Sequence, residues 1–124
     1  MHIQESGEMY LETILLLSRK NGQVRSIDIV EYMGYSKPSV SRAIGILRKA
    51  EYIEVDENGH ITLTAEGTAV AERIYERHKV FTEFFIALGV DGDVASEDAC
   101  KVEHTVSDQT FEAIKRFVDK NQKA

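Results

Sequence analysis

The spacing of apolar side chains changes once along this chain, and that change restricts the folds it can adopt. Apolar residues first recur every three or four positions, as at Val40, Ile44 and Leu47, which is typical of a buried helix face. Over residues 53–63 they alternate with polar residues around Asn58-Gly59. This alternation predicts a two-stranded hairpin closed by a type I′ turn. A helix followed directly by a hairpin is the pattern of a winged helix.

Three helices are predicted before the hairpin, and each has signals for its ends. The first covers residues 6–19 and ends at the Asn-Gly of RKNGQ. In the second, Ser26 is the predicted N-cap and Gly34 follows the last turn. In the third, Ser36 is the predicted N-cap, and Pro38 lies in the first turn, where a missing N–H is not needed. Two short helices joined by a tight glycine-containing turn predict a helix-turn-helix.

The remainder of the chain is predicted to be helical. A long helix begins after an N-cap at Thr64 and runs to about residue 88. A short helix is predicted near residues 95–104, and a last one near residues 107–120, capped by Ser107 or Asp108.

The composition is that of a globular protein, with 43% hydrophobic and 29% charged residues. The apolar patch near the N-terminus is short and follows acidic residues, so it predicts neither a signal peptide nor a membrane span. The single cysteine cannot form an internal disulfide, which fits a reducing compartment. We expect a cytoplasmic protein with no membrane partner. A phosphate loop, a nucleophile-base pair and a zincin helix are all missing from the sequence, so we expect no enzyme.

The net charge of −6 is unevenly distributed. Residues 1–52 carry seven Lys and Arg against six Asp and Glu, whereas residues 53–124 carry eight against fifteen. The third helix combines small hydroxyls and cations opposite its apolar stripe, groups that can contact phosphates and base edges in a major groove. The start of the second helix can bind phosphate. The predicted DNA-binding residues are Arg25, Ser26, Ser36, Lys37, Pro38, Ser39, Ser41 and Arg42.

The alternative is that this face is solvated and that the winged helix binds protein. Composition alone does not decide between these partners. We favour DNA, with dimerisation supplying the affinity that a modest number of basic residues in one copy cannot.

A second cluster lies in EDACKVEHTVSD, residues 97–108. If this segment is helical, Cys100, Glu103 and His104 share one face, because side chains three and four residues apart are neighbours. A thiol, a carboxylate and an imidazole all bind divalent metals. Further candidate ligands lie on the first helix and the long helix. They are Met9, Glu12 and His78.

Each candidate also has an ordinary structural explanation. Met9 on an apolar face fills a core, and a lone Glu12 is usually solvated. His78 beside an apolar stripe is more often a hydrogen-bonded core residue, and Cys100 can act as a small hydrophobic side chain. Glu103 is harder to explain in this way, because burying a carboxylate without a partner is costly.

With these motifs, the chain resembles the diphtheria toxin repressor and manganese transport regulator family of metal-dependent transcriptional repressors, in its short two-domain form. The resemblance covers nearly the whole chain. The matching segments are EMYLETI at 8–14, GYSKPSVSRAIGILRKAEYI at 34–53, ITLTAEG at 61–67, RH at 77–78 and DACKVEHTVSD at 98–108.

The resemblance implies a mainly α fold. A winged helix-turn-helix DNA-binding domain with a β-hairpin wing would occupy residues 1–64, and an all-helical dimerisation and metal-sensing domain would occupy residues 65–124. It also implies a homodimer that binds double-stranded DNA at a palindromic operator when ferrous or manganous ions bind. Such a dimer would repress metal-uptake genes.

The resemblance also implies ligand roles by position. The residues that match the primary site of the iron-responsive branch are Met9, Cys100, Glu103 and His104. The residues that match second-site ligands of the manganese-responsive branch are Glu12 and His78. That branch has carboxylates at the positions of Met9 and Cys100, so this chain is of mixed type.

Two sulfur ligands are softer than two carboxylates, which moves the metal preference from Mn²⁺ towards Fe²⁺. We therefore expect Fe²⁺ as the cofactor, with Mn²⁺ as the alternative and Zn²⁺, Co²⁺ or Ni²⁺ able to substitute in vitro. The alternative function is a winged-helix regulator that senses oxidants through Cys100 without a bound metal.

Overall fold

The computed structural model describes residues 5–122. Six helices and one hairpin follow one another in this range. They are α1 Glu5–Asn21, α2 Ser26–Met33, α3 Lys37–Lys49, β1 Ile53–Val55, β2 Ile61–Leu63, α4 Ala65–Ala87, α5 Gly92–Val102 and α6 Asp108–Gln122. The chain divides into two compact units within α4, between Glu72 and Arg73. In the described range, no helix is both long and apolar enough to cross a membrane. The predicted mainly α fold with a hairpin wing is confirmed.

The first unit holds the helix-turn-helix. Ser26 is the first residue of α2 rather than its N-cap, so that prediction is wrong. The N-cap is Arg25, whose backbone N–H donates to the Asp28 carboxylate at 2.8 Å. An acidic side chain three residues inside the helix therefore stabilises this end. Gly34 ends α2 in the left-handed conformation at φ 73°, as predicted for a glycine at this position.

Helix α3 begins and packs as its sequence predicts. The Ser36 hydroxyl accepts a hydrogen bond from the Ser39 N–H at 3.3 Å, and Pro38 lies in the first turn. Val40, Ile44 and Leu47 are buried. The core of this unit also contains side chains from α1, α2, the hairpin and the segments that join these elements, which are Leu11, Ile14, Val24, Ile29, Tyr52, Ile53 and Ile61.

The hairpin follows α3 as predicted, but its turn differs from the prediction. Val55 pairs with Ile61, and the Asp56 N–H donates to the His60 carbonyl at 3.0 Å. Three residues therefore lie in the loop, and only Gly59 has a positive φ, of 81°. A type I′ turn needs two such residues, so this is instead a three-residue loop. The Asp56 carboxylate accounts for the difference, since its Oδ1 accepts the N–H groups of Asn58 and His60 at 2.8 and 2.9 Å.

The start of α4 packs tightly against the residues that join α3 to the wing. Thr64 is the predicted N-cap, and its hydroxyl accepts the Gly67 N–H at 3.1 Å. The same hydroxyl donates to the carbonyl of Glu51 at 2.8 Å, and Glu51 has a left-handed backbone at φ 66°. A Cβ atom added to Gly67 would lie 2.0 Å from the Tyr52 carbonyl oxygen. Only glycine permits this approach.

The second unit is entirely helical in the described range. The part of α4 after Arg73 packs with α5 and α6 around a core of Val80, Phe81, Ala99, Phe111 and Val118. Aromatic contacts stabilise this core, and the rings of Phe81 and Phe111 have centroids 5.8 Å apart. The Ser107 hydroxyl accepts the Thr110 N–H at 3.2 Å, so Ser107 is the cap of α6. Helix α5 ends at Val102, two residues before the predicted end.

Replacing Gly67 with alanine should destabilise the first unit strongly. The new Cβ would overlap the Tyr52 carbonyl oxygen, and overpacking of this kind costs about 3 kcal/mol in the free energy of unfolding. Gly45 is the matched control, because a Cβ there meets nothing within 4 Å inside α3. Gly45→Ala should stabilise the protein by about 0.5 to 1 kcal/mol. Urea unfolding followed by circular dichroism measures both variants, and equal stabilities would contradict the packing described.

Candidate functional site

The candidate nucleic-acid interface lies on the outer surface of α3. Lys37, Ser41 and Arg42 are exposed, while the opposite side of the helix is buried. Two cations and a hydroxyl at the N-terminal half of an exposed helix can reach phosphates and base edges. Arg48 and Lys49 are also exposed in the last turn of this helix.

The other predicted DNA-binding residues differ in whether their side chains are exposed and free of bonds within the protein. Arg25, Ser26 and Pro38 are exposed. Ser36 and Ser39 bond to each other, with a distance of 2.9 Å between their hydroxyl oxygens. These two hydroxyls therefore take part in the cap of α3. One residue of this face was not predicted: Ile46 is 64% exposed and lies four residues after Arg42.

The candidate metal centre lies in the second unit, around a buried carboxylate. The side chain of Glu103 has no exposed surface. Its Oε2 lies 2.9 Å from His78 Nδ1, and its Oε1 lies 3.3 Å from His104 Nε2. The geometry between Glu103 Oε1 and His104 Nε2 is not that of a hydrogen bond, so this contact is electrostatic only. A buried carboxylate between two imidazoles is a donor set that divalent metals accept.

The charge of Glu103 depends on these two imidazoles. Burial raises the pKa of the carboxyl group, but the contacts with His104 and His78 outweigh burial, so its pKa lies below the ordinary value. Glu103 is therefore the anionic member of the cluster. The second ring nitrogen of His78, Nε2, lies 3.4 Å from the Ser96 hydroxyl. Ser96 was not predicted, and a partner of this kind orients a histidine ligand.

The remaining predicted ligands lie on α5 and α1. Cys100 is half-buried in the last turn of α5. Met9 and Glu12 are half-buried on α1, in the first unit. His104 follows the end of α5, so Cys100, Glu103 and His104 do not share one helix as predicted. Among residues 5–122, no three His, Cys, Asp or Glu side chains have the arrangement of a formed metal site.

The segment that carries Glu103 and His104 is held by a buried arginine. Arg77 is 5% exposed, and its Nη1 donates to the carbonyl oxygens of Glu103 and Val106 at 3.1 and 2.7 Å. Its Nη2 forms an ion pair with Asp108. No role was predicted for Arg77, although the apolar stripe of α4 includes its position. An arginine within such a stripe must be buried with partners.

The chain matches family models in both halves. Residues 2–61 match the iron dependent repressor, N-terminal DNA binding domain, and residues 64–124 match the iron dependent repressor, metal binding and dimerisation domain. The candidate interface on α3 lies in the first match, and the Glu103 cluster lies in the second.

Relatives of known sequence span most of this chain. The transcriptional regulator MntR of Escherichia coli O157:H7 is 34% identical over 120 residues, which cover 97% of this chain and 77% of that protein. An HTH-type transcriptional regulator of Methanocaldococcus jannaschii is 32% identical over 120 residues, which cover 95% of this chain and 96% of that protein.

Solved structures share the fold. The manganese regulator SloR superposes with a TM-score of 0.81 at 29% identity, covering 96% of this chain and 55% of that one. A manganese-dependent transcriptional repressor in complex with manganese superposes with a TM-score of 0.84 at 25% identity, covering 91% of this chain and 52% of that one. The present chain therefore spans about half the length of these two solved chains.

The ionisation of Asp56 should control the tip of the wing. Hydrogen bonds to its carboxylate, first from the His60 backbone and then from the Asn58 backbone, lower its pKa although burial opposes them. Because the folded pKa is the lower one, the stabilisation is complete above the unfolded value of about 3.9 and is lost as the pH falls through the folded pKa.

An NMR titration of the Asp56 carboxyl carbon should therefore give a midpoint below about 3.9. His60→Ala is the matched control. It removes the ring, whose Nδ1 lies 3.3 Å from Asp56 Oδ2, and retains the backbone bonds, so the midpoint should stay low. A midpoint at or above that of an unfolded aspartate would contradict this account of the turn.

Proposed function

Because the chain belongs to the iron-dependent repressor family, whose members are transcriptional regulators and not enzymes, we propose that it is a metal-dependent repressor of metal-uptake genes. The observation that carries the proposal is the fully buried Glu103, in contact with His78 and His104 within the half that matches the metal-binding and dimerisation domain. A carboxylate in this position is costly without a cation.

The proposed ligands fall into two groups. His78, Glu103 and His104 are supported by their contacts in the second unit. Met9, Glu12 and Cys100 are added on their position in the sequence and on the resemblance. A bound divalent cation would supply positive charge that compensates the Glu103 carboxylate. The residues of the chain would bind it in their deprotonated forms, so affinity should rise with pH.

The proposed partner is a palindromic operator in double-stranded DNA. Lys37, Ser41 and Arg42 of α3 would contact it, with Arg25 and Ser26 binding phosphate. Metal would act only through its higher affinity for the DNA-competent dimer. We place the functional boundary between residues 64 and 65, and we propose that the protein works in the cytoplasm.

The chemistry of the ligands and the names of the relatives favour different activating metals. Sulfur ligands from Met9 and Cys100 favour Fe²⁺ over Mn²⁺. The relatives named above as manganese regulators favour Mn²⁺. We propose Fe²⁺, because the ligand chemistry belongs to this chain itself.

Binding to the DNA upstream of its own gene should require metal. We would measure it anaerobically at physiological salt in chelator, Fe²⁺, Mn²⁺ and Zn²⁺, and expect tight binding only with metal, at the lowest concentration for Fe²⁺. Glu103→Gln keeps the size of the side chain and removes its charge, so it should weaken the metal response at least about tenfold. Glu97→Gln, at an exposed position on α5, is the matched control and should respond normally.

Three outcomes of this measurement would contradict the proposal. Equal binding in chelator and in every metal would remove metal from the mechanism. An unchanged response in Glu103→Gln would remove the buried carboxylate from the site. Activation at lower concentrations of Mn²⁺ than of Fe²⁺ would reverse the proposed metal preference. Cys100→Glu should then have little further effect on the ratio of the Mn²⁺ and Fe²⁺ concentrations that activate binding.

We further propose that an apolar face on α4 and α6 forms the homodimer. Leu88 and Phe117 are 65% and 53% exposed, and the rings of Phe84 and Phe117 pack edge to face with centroids 5.9 Å apart. Together with Ala113 and Ile114 they line a groove. Large apolar side chains exposed side by side are typical of an interface between copies.

Phe117→Glu should therefore convert the dimer into a monomer in sedimentation equilibrium, because a carboxylate buried on this face would have no partner. Phe117→Leu keeps the face apolar and should remain dimeric. A dimer of unchanged affinity in the Phe117→Glu variant would place the interface elsewhere.

A further inference from the structure

Arg77 is the most deeply buried of the lysine and arginine residues described in the second unit, and it bonds to one short segment. Three of its acceptors lie between residues 103 and 108, where α5 ends and α6 begins. Its guanidinium also lies over the ring of Phe111, 5.1 Å from the centroid. A planar group with several donors in a fixed geometry can bond to several acceptors at once.

The bonds from Arg77 pair with backbone carbonyl groups that have no partner within the helix at its C-terminal end. The carbonyl of Glu103, at the C-cap of α5, has no acceptor role within the helix and receives Arg77 Nη1 instead. The carbonyl of Val106, in the following turn, receives the same nitrogen. Asp108, at the start of α6, balances the charge of the guanidinium. The turn is therefore held at both ends by one side chain.

Two consecutive residues of α4 contact the two ends of Glu103. Arg77 bonds to its backbone carbonyl, and His78 bonds to its carboxylate. The bonds that Arg77 donates go to carbonyl oxygens and to Asp108, so the carboxylate of Glu103 is left to the imidazoles. Arg77 thus fixes the backbone of the ligand segment without taking the oxygen atoms that a metal would use.

We propose that Arg77 is a positioning residue for the metal centre, which holds the turn at residues 103–108 in its binding conformation before any metal arrives. This inference rests on the proposed function. A ligand segment that is already ordered does not lose conformational freedom on binding, which raises affinity. Partners that orient ligands typically change metal affinity by about 10- to 100-fold when they are removed.

The test uses the full chain with three substitutions. Arg77→Met keeps the long apolar side chain and removes every donor. Arg77→Lys keeps the charge and one donor group without the planar geometry, so it should be intermediate. Val118→Ala is the matched control, because Val118 is buried in the same core and its side chain has no donor that could bond to the carbonyls of the turn. We first use thermal unfolding to find a temperature at which the wild-type protein and the three variants are all fully folded.

Two measurements are then made at that temperature. In metal-free protein, hydrogen exchange follows the amides of Glu103 and Thr105, which bond to the carbonyls of Ala99 and Val102 at 2.9 and 3.1 Å. With Co²⁺ as the probe, the visible absorption spectrum gives both the affinity and the ligand geometry. Arg77→Met should speed exchange of these amides about tenfold and weaken Co²⁺ binding about tenfold or more, whereas Val118→Ala should change neither.

Other results would overturn the inference in distinguishable ways. Unchanged amide exchange in Arg77→Met would show that Arg77 does not order the turn, whatever happens to Co²⁺. An equal loss of Co²⁺ affinity in Arg77→Met and Val118→Ala would reduce Arg77 to a contributor to general stability. Failure of the wild-type chain to bind Co²⁺ would instead overturn the proposed metal centre, and the role of Arg77 with it.

Discussion

A carboxylate that is removed completely from water must be compensated, and the second unit is arranged around one such group. Glu103 is fully buried, and a buried charge without partners would cost several kcal/mol (about 3 to 5 when a partner is removed). Two imidazoles compensate the carboxylate, and Arg77 bonds to the backbone of the same residue. The α5–α6 connection therefore combines a buried negative charge, compensated by two imidazoles, with a backbone held by one arginine.

Much of the fold could be predicted from local chemistry. Ser36, Thr64 and Ser107 each accept a backbone N–H at the start of a helix, as short polar side chains before an apolar run usually do. The change of apolar spacing from helical to alternating located the hairpin correctly. The Glu103–His104 pair was recognised because three metal-binding side chains lie three and four residues apart and because a buried glutamate needs a partner. These features depend only on residues near each other in the sequence.

The predictions failed where a more distant partner or a competing side chain decides the outcome. Helix α5 ends at Val102, before His104. At this end Arg77, from a different helix, bonds to the carbonyl of Glu103. The sequence near residue 103 does not predict that bond. The wing turn has three loop residues because the Asp56 carboxylate takes two backbone N–H groups. Side chains that bond to nearby backbone groups compete with regular turns in this way. Which residues bind metal, and which bind DNA, stays a prediction for the same reason.

The bond between the Ile61 N–H and the Val24 carbonyl, 2.7 Å long, has a consequence for the order of folding. Most packing in the first unit joins neighbours along the chain, such as α2 with α3 and β1 with β2. Contacts of that kind form quickly because little loop entropy opposes them. The Val24–Ile61 bond instead closes a long loop that contains both helices and the first strand. We expect the wing to reach its final place late, after the helix-turn-helix has collapsed around Val40.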